Sequence, residues 1–192
     1  MKIIGSGAEA TIYLDNNKVI KKRIKKSYRI KEIDEALRKN RTRVESKILD
    51  KISIKAPKLL KTDRKETIEM EFIEGPKIKD LLDKKPSLAK EIGEKIATMH
   101  NEGIIHGDLT TSNMILNKEI FFIDFGLSFF SEKIEDKAVD IHLFKQALES
   151  KHYQVDEKTF DAFNQGYKNA HHYKEIMDRL KSVEERGRYK KK

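Results

Sequence analysis

The chain has 192 residues, with 41 Lys and Arg against 32 Asp and Glu, enough length to bury a core in one or two domains and enough excess charge to favour a polyanionic partner such as nucleic acid. It has no cysteine, which excludes disulfides, thiolate metal sites and a Cys nucleophile and suits a reducing cytoplasm. No apolar run approaches the roughly 20 residues of a membrane helix, and a Gly-rich motif follows Met1 so closely that no signal peptide is expected.

The first third reads as β-rich, with strands over residues 2–4, 11–14 and 18–22. The first two flank Gly5-Ser6-Gly7-Ala8-Glu9-Ala10. Glycines at such a turn let backbone N–H groups approach phosphate oxygens. Lys21 lies on the next strand, sharing a face with Val19, where a kinase-like lobe places its phosphate-holding lysine. Ile33, Leu37, Val44, Ile48 and Ile52 then recur at helical spacing. Glu45, near the inward Val44 and Ile48, is the chosen ion-pair partner for Lys21, with Glu35 and Glu32 as alternatives. Pro57 ends that region. Residues 67–73 alternate as a strand, and Glu74-Gly75-Pro76 breaks it.

Beyond this breaker the chain reads as mainly helical. Leu88, Ile92, Ile96 and Met99 mark one helix. Val139, Leu143, Phe144, Ala147 and Leu148 mark a second, and Phe160, Phe163 and Tyr167 a third. Tyr173, Ile176, Met177, Leu180 and Val183 mark a fourth, with Gly187 as its expected stop. Short strands are predicted over 113–116 and 120–123. The fold class is α+β, divided into a β-rich lobe (1–73), a linker (74–79), a helical lobe (80–185) and a basic tail (186–192).

The chemistry is read from His106-Gly107-Asp108-Leu109-Thr110-Thr111-Ser112-Asn113 and Ile123-Asp124-Phe125-Gly126. Phosphoryl transfer from ATP needs a carboxylate that orients or deprotonates the nucleophile, and an amide plus a carboxylate that hold metal on the phosphates. Asp108 takes the first role, with Lys21 and Glu45 completing the catalytic set. Asn113 and Asp124 are the metal ligands; hard oxygen donors favour Mg²⁺, or Mn²⁺. Ile4, Ile12, Val19, Ile115 and Ile123 are placed around the adenine ring. Met70, Glu71 and Ile73 are placed at the hinge, with the backbones of Glu71 and Ile73 toward the adenine edge. Gly5, Ser6, Gly7, Ala8 and Glu9 complete the nucleotide set. Asp140 is expected to brace the catalytic loop, and His106 and His100 to pack or hydrogen-bond. The remaining histidines show no metal spacing.

Several features of protein-phosphorylating kinases are missing. Gly107 stands where most have Arg, and Thr110 where many have a lysine that touches the γ-phosphate. No Ala-Pro-Glu follows Gly126, and only about a dozen residues separate it from the next helical pattern. A peptide-docking platform does not fit.

These motifs resemble the small atypical kinase of the KEOPS (EKC) complex, the p53-related protein kinase family. The resemblance spans nearly the whole chain. It includes Val-Ile-Lys-Lys-Arg at 19–23, Lys-Ser-Tyr-Arg at 26–29, Arg-Thr-Arg-x-Glu at 41–45, Met-Glu-Phe-Ile-Glu-Gly at 70–75 and an Arg-Gly-Arg tail. Ile30-Lys31 departs from the family's usual His-Pro. The resemblance implies a truncated two-lobe kinase fold lacking an activation segment. It implies ATP and a divalent metal as cofactors, Ser/Thr autophosphorylation and ATP hydrolysis. It also implies partnership with a tRNA threonylcarbamoyltransferase catalytic subunit and a small regulatory subunit, serving threonylcarbamoyladenosine synthesis on tRNA, and an archaeal type of chain. The tail, with Arg186, Arg188, Tyr189 and Lys190 to Lys192, is then a candidate tRNA contact. The competing readings are an aminoglycoside- or choline-type small-molecule kinase, a free-standing Ser/Thr kinase, and a non-catalytic scaffold that binds ATP and tRNA.

Overall fold

A computed structural model describes residues 1–188. Residues 189–192 of the expected basic tail lie outside the described residues. Five antiparallel strands form one sheet: β1 (Lys2–Ser6), β2 (Ala10–Asp15), β3 (Lys18–Arg23), β4 (Leu59–Thr62) and β5 (Thr67–Glu71), in the order β1-β2-β3-β5-β4. Lys21 on central β3 pairs with Ile12 on one side and Ile68 on the other. Its backbone position is therefore fixed by two ladders. The β1–β2 register shifts between Ile3 and Gly5, where the Gly-rich turn begins. Edge strand β4 lacks the alternation of a half-buried strand, which is why the sequence did not announce it. Its Leu60 is exposed.

Helix α1 (Lys31–Lys51) packs beside this sheet, but its inward face differs from the expected apolar stripe. Ile33 is 52% exposed, whereas Asp34, Thr42, Glu45 and Ser46 are buried ahead of Ile48 and Leu49. The reason is local. The N-terminal half of α1 faces ionic partners rather than an apolar wall. Asp34 accepts from Arg38 Nε at 2.7 Å and from the Lys26 backbone N–H at 3.1 Å.

Past a 3-10 turn (Ile78–Asp80), α2 (Leu88–Asn101) leads to β6 (Ile104–Ile105), which pairs with β9 (Phe129–Phe130). Between them a second 3-10 turn (Thr111–Asn113) opens into the hairpin of β7 (Met114–Asn117) and β8 (Glu119–Phe122). Both hairpin strands were expected, but Asn113 belongs to the turn and Ile123 falls just after its strand. Helices α3 (Ile134–Lys151), α4 (Asp156–Tyr167) and α5 (Tyr173–Arg188) complete the helical part. Val139 was expected to face inward on α3 and is instead exposed; Ala138, Ile141, Phe144 and Leu148 line that face. Helix α5 continues through Gly187 rather than stopping there. None of the helices among the described residues is long and apolar enough to cross a membrane.

One apolar core links the sheet to the helices, running from Ile48, Ile68 and Met70 through Ile92, Ile96 and Phe122 to Phe144, Phe163 and Ile176. Helices α2 and α4 cross at two glycines. A Cβ on Gly166 would strike the Lys90 carbonyl, and one on Gly93 the Phe163 carbonyl. Both obstacles are backbone, which does not swing aside. Overpacking of this kind typically costs about 1–3 kcal/mol. Gly166→Ala is therefore expected to lower unfolding stability by about 2 kcal/mol in urea denaturation. A change below about 0.5 kcal/mol would show that the helices do not meet this closely.

Candidate active site

The site is assembled by β3, α1 and the segment after β8. On β3, Lys21 and Arg23 are two residues apart and share a face. On α1, Glu45 is presented beneath them. Lys21 Nζ donates to Glu45 Oε1 at 2.7 Å and to Asp124 Oδ1 at 2.7 Å. Arg23 Nη2 donates to Glu45 Oε2 at 2.5 Å, and Arg23 Nε to Thr42 Oγ1 at 3.1 Å. Lys21, Arg23 and Glu45 are all buried. Burial alone would push the Lys21 ammonium down, but the Glu45 and Asp124 carboxylates outweigh it and raise its pKa. Asp124 is opposed by burial in the same way, yet Lys21 and the Gly126 N–H hold its carboxyl below the usual range.

The catalytic-loop segment is held from behind. Asp140 on α3 is fully buried and accepts from the backbone N–H groups of His106 (2.8 Å) and Gly107 (2.9 Å). It also meets His100 Nε2 at 3.2 Å, while His100 Nδ1 meets the Tyr167 hydroxyl at 2.7 Å. Burial works against the Asp140 anion, but its hydrogen bond with His100 and the loop N–H groups keep its pKa below the usual range. His106 packs at a tilt against Phe125, with ring centroids 5.0 Å apart, and burial lowers its pKa. Gly107 has φ +75°, and a Cβ there would meet the Leu127 carbonyl. An arginine in its place is excluded by backbone geometry.

Asp108 projects from this braced loop. Asn113 Nδ2 donates to Asp108 Oδ2 at 2.8 Å and to the Asp108 carbonyl at 2.9 Å. The Asn113 amide oxygen and Asp124 Oδ2 take no hydrogen bond among the described residues. Among those residues there is also no cluster of three or more His, Cys, Asp or Glu placed for a metal. The pair therefore fits an oxygen-preferring divalent ion whose remaining shell comes from phosphate and water.

Two neighbouring cavities adjoin these groups. One, of about 520 Å³, is lined by Ile4, Ile12, Val19, Met70, Ile115 and Ile123 and by the hinge from Glu71 to Gly75. The other, of about 360 Å³, lies under Gly5 to Ala10 and reaches Asp108, Asp124 and Gly126. They share Gly5, Ile12, Lys21 and Asp124. The Ile73 N–H, just beyond β5, finds no hydrogen-bond partner among the described residues, although its neighbour Phe72 donates to the Asn17 carbonyl. A donor is thus left open on one edge of the apolar cleft, where an adenine edge has an acceptor to offer.

Every residue singled out from the sequence for catalysis, metal or nucleotide lines one or both cavities. The alternatives to Glu45 do not reach Lys21: Glu32 and Glu35 lie on the exposed side of α1. Sequence reasoning gave no site role to Arg23, Arg41 or His152. Arg23 was legible as the residue two positions beyond Lys21. Arg41 was legible as one helical turn before Glu45. His152 had no such signal. It lies between Thr111 Oγ1 (3.0 Å) and Asp83 Oδ1 (2.6 Å), tying the 3-10 turn to the segment after the hinge.

Removing the Asp140 carboxylate would leave the buried His106 N–H, the half-buried Gly107 N–H and His100 without their acceptor. Asp140→Ala is expected to destabilise by about 3–5 kcal/mol. Because its folded pKa is depressed, Asp140 stabilises the fold above the unfolded carboxylate pKa of about 3.9, and this contribution fades as pH falls through the folded value. Asp140→Asn should flatten the acid limb of a stability-versus-pH curve below about pH 4. An unchanged acid limb would rule out this depressed carboxyl.

The protein kinase domain model matches residues 1–171. The chain is 42% identical, over a 215-residue alignment, to the KEOPS complex subunit Bud32 of Pyrococcus abyssi, covering 100% of this chain and 98% of that one. It is 41% identical to a probable serine/threonine-protein kinase BUD32 homolog of Archaeoglobus fulgidus, covering 95% and 94%. A probable bifunctional tRNA threonylcarbamoyladenosine biosynthesis protein of Methanocaldococcus jannaschii is 40% identical; the alignment takes in 97% of this chain and 37% of that protein. Among solved structures, WaaP in complex with acyl carrier protein superposes with a TM-score of 0.62 at 12% identity, covering 98% of this chain and 88% of that one, a likeness of fold alone.

Proposed function

The chain belongs to the protein kinase domain family and, within it, to the KEOPS subunit Bud32 kinases, and from that premise we propose that it is an atypical Ser/Thr kinase and ATPase that supports threonylcarbamoyladenosine modification of tRNA. The observation that carries the chemistry is Lys21 Nζ held at 2.7 Å from both Glu45 and Asp124, beside the Asp108–Asn113 pair. Lys21 places the α- and β-phosphates, and Glu45 keeps it pointed into the cleft. The Glu71 carbonyl and Ile73 N–H take the adenine edge, and Ile4, Ile12, Val19, Met70, Ile115 and Ile123 enclose the ring. The backbone of Gly5 to Glu9 covers the phosphates. Asn113 and Asp124 hold the divalent metal, which when bound offsets phosphate charge. Asp108 orients the attacking water or hydroxyl and accepts its proton, while Asn113 fixes its carboxylate.

A lobe division at residues 1–73, 74–79 and 80–185 follows from this reading. The output leans toward hydrolysis or a neighbouring protein rather than free peptides. Residues 127–133, including the two-residue β9, fill the interval between Gly126 and α3. A segment that short leaves no platform for a peptide. The names of the relatives support a KEOPS-type assembly in threonylcarbamoyladenosine biosynthesis, and the proposed partners within it are a threonylcarbamoyltransferase subunit and a small regulatory subunit, in the cytoplasm. The net charge of +9 supports tRNA as the polyanion.

Following γ-labelled phosphate from ATP in an assembled complex with tRNA tests the reading. Asp108→Ala should lower turnover by about 10²–10⁴-fold. Free phosphate would identify hydrolysis as the output, and labelled protein a kinase. Turnover independent of Asp108 would leave only a nucleotide-binding scaffold. For the tRNA partner, binding should weaken steeply with salt, and removing residues 186–192 should flatten that slope. An unchanged slope would exclude the tail as a phosphate contact.

A further inference from the structure

The catalytic loop from His106 to Asn113 contains no Lys or Arg. Thr110 occupies the place where many kinases carry a cation for the terminal phosphate. Charge developing on a transferred phosphoryl group still needs a cation there. The cavity beyond Lys21 contains one on another element. Arg41 lies one helical turn before Glu45 on α1, so both side chains face the cleft. It lines the 360 Å³ cavity together with Asp108, Gly126 and the Gly-rich backbone.

The other cations of this region are already engaged. Lys21 is held between Glu45 and Asp124, and Arg23 between Glu45 and Thr42. Arg29 donates to Glu9 Oε1 at 3.1 Å. Arg41 is different. Its Nη1 lies 2.7 Å from Glu9 Oε2, yet the N–H groups are not aimed at that oxygen. The nitrogen is buried and, among the described residues, has no hydrogen-bond partner. A buried guanidinium nitrogen without an acceptor is unfavourable by itself. The charge is balanced by Glu9 against Nη1, while the side chain borders the cavity and its Nε and Nη2 make no hydrogen bond among the described residues.

We propose that Arg41 is a phosphate-binding residue that supplies, from α1, the terminal-phosphate cation missing from the catalytic loop. The proposal rests on the nucleotide reading above. Its guanidinium offers the planar fork that matches phosphate oxygens, which a lysine does not. When a triphosphate enters, Arg41 exchanges its loosely aligned contact with Glu9 for the γ-phosphate. Glu9 keeps Arg29 as a partner, so no carboxylate is stranded by the exchange. A diphosphate ends short of this position and gains nothing from Arg41. The residue therefore sets the preference for triphosphate over diphosphate.

Titration calorimetry on the full chain, with Mg²⁺ and either ADP or a non-hydrolysable ATP analogue, tests this. Arg41→Ala should weaken the analogue about tenfold, the scale of a lost charge-assisted hydrogen bond, and leave ADP within about twofold. Arg41→Lys should recover only part of the loss. Glu9→Gln, which removes the competing anion, should tighten the analogue. Equal weakening of both nucleotides would mean that Arg41 only supports the fold, and no weakening of the analogue would mean that it does not meet the γ-phosphate; either result overturns the proposal. ADP binding by the variant controls for its folding. A wild-type chain that binds neither nucleotide would overturn the nucleotide reading itself, and this inference with it.

Discussion

Glu45 is a carboxylate buried as deeply as the apolar core around it, 1% exposed. Desolvating such an anion costs several kcal/mol, which its partners must offset. Two cations on one strand do so: Lys21 takes one oxygen and Arg23 the other. This constraint orders much of the molecule. It fixes the rotation of α1 against the sheet. It explains why the inward face of α1 carries Thr42 and Glu45 just ahead of Ile48 and Leu49. Through Lys21 it also reaches Asp124, on the far side of the cleft, so that the sheet and the helical part meet at one ammonium group.

The catalytic loop depends on a second buried anion with a different kind of satisfaction. Asp140 accepts mainly from backbone N–H groups and a histidine, not from a guanidinium. Backbone donors cannot rotate away, so the carboxylate sets the path of the chain at His106 and Gly107. That path brings Gly107 against the Leu127 carbonyl at a positive φ, which removes the arginine found there in kinases gated by a phosphorylated loop. The short interval from Gly126 to α3 removes the loop itself. Both departures belong to one geometry: a site braced from its own core rather than completed by a modified segment.

Much of this was legible from residue order. The strand–glycine–strand opening, Lys21, and the Asp108, Asn113 and Asp124 spacing led to side chains that do converge on one cleft, because motif spacing is set by local turns. The choice of Glu45 over Glu32 and Glu35 rested on helical register, and α1 buries Glu45 while leaving the other two exposed. What was not legible came from long-range pairing. Ile33 and Val139 look like core residues by period and are exposed, since a polar network or a neighbouring element occupies the expected apolar side. Strand β4 and the β6–β9 pair are too short or too irregular to show alternation. The bridge from Asp83 through His152 to Thr111 joins residues far apart in sequence, and no local pattern marks it.

The energies of these ties decide which part of the site can move. Swinging α1 outward would separate Glu45 from both of its cations, and breaking a buried pair typically costs about 3–5 kcal/mol. The Gly-rich turn is held differently. Its Glu9 reaches Arg29 and Arg41, but the carboxylate is 39% exposed, and solvent screening leaves such pairs about 1 kcal/mol or less each. Opening for nucleotide exchange therefore falls to the turn over the phosphates, while α1 stays in place. A helix locked inward keeps Lys21 positioned whether or not nucleotide is bound. Control by a partner would then act on the turn and on access to Asp108, not by assembling the ion pair, which this chain forms from its own residues.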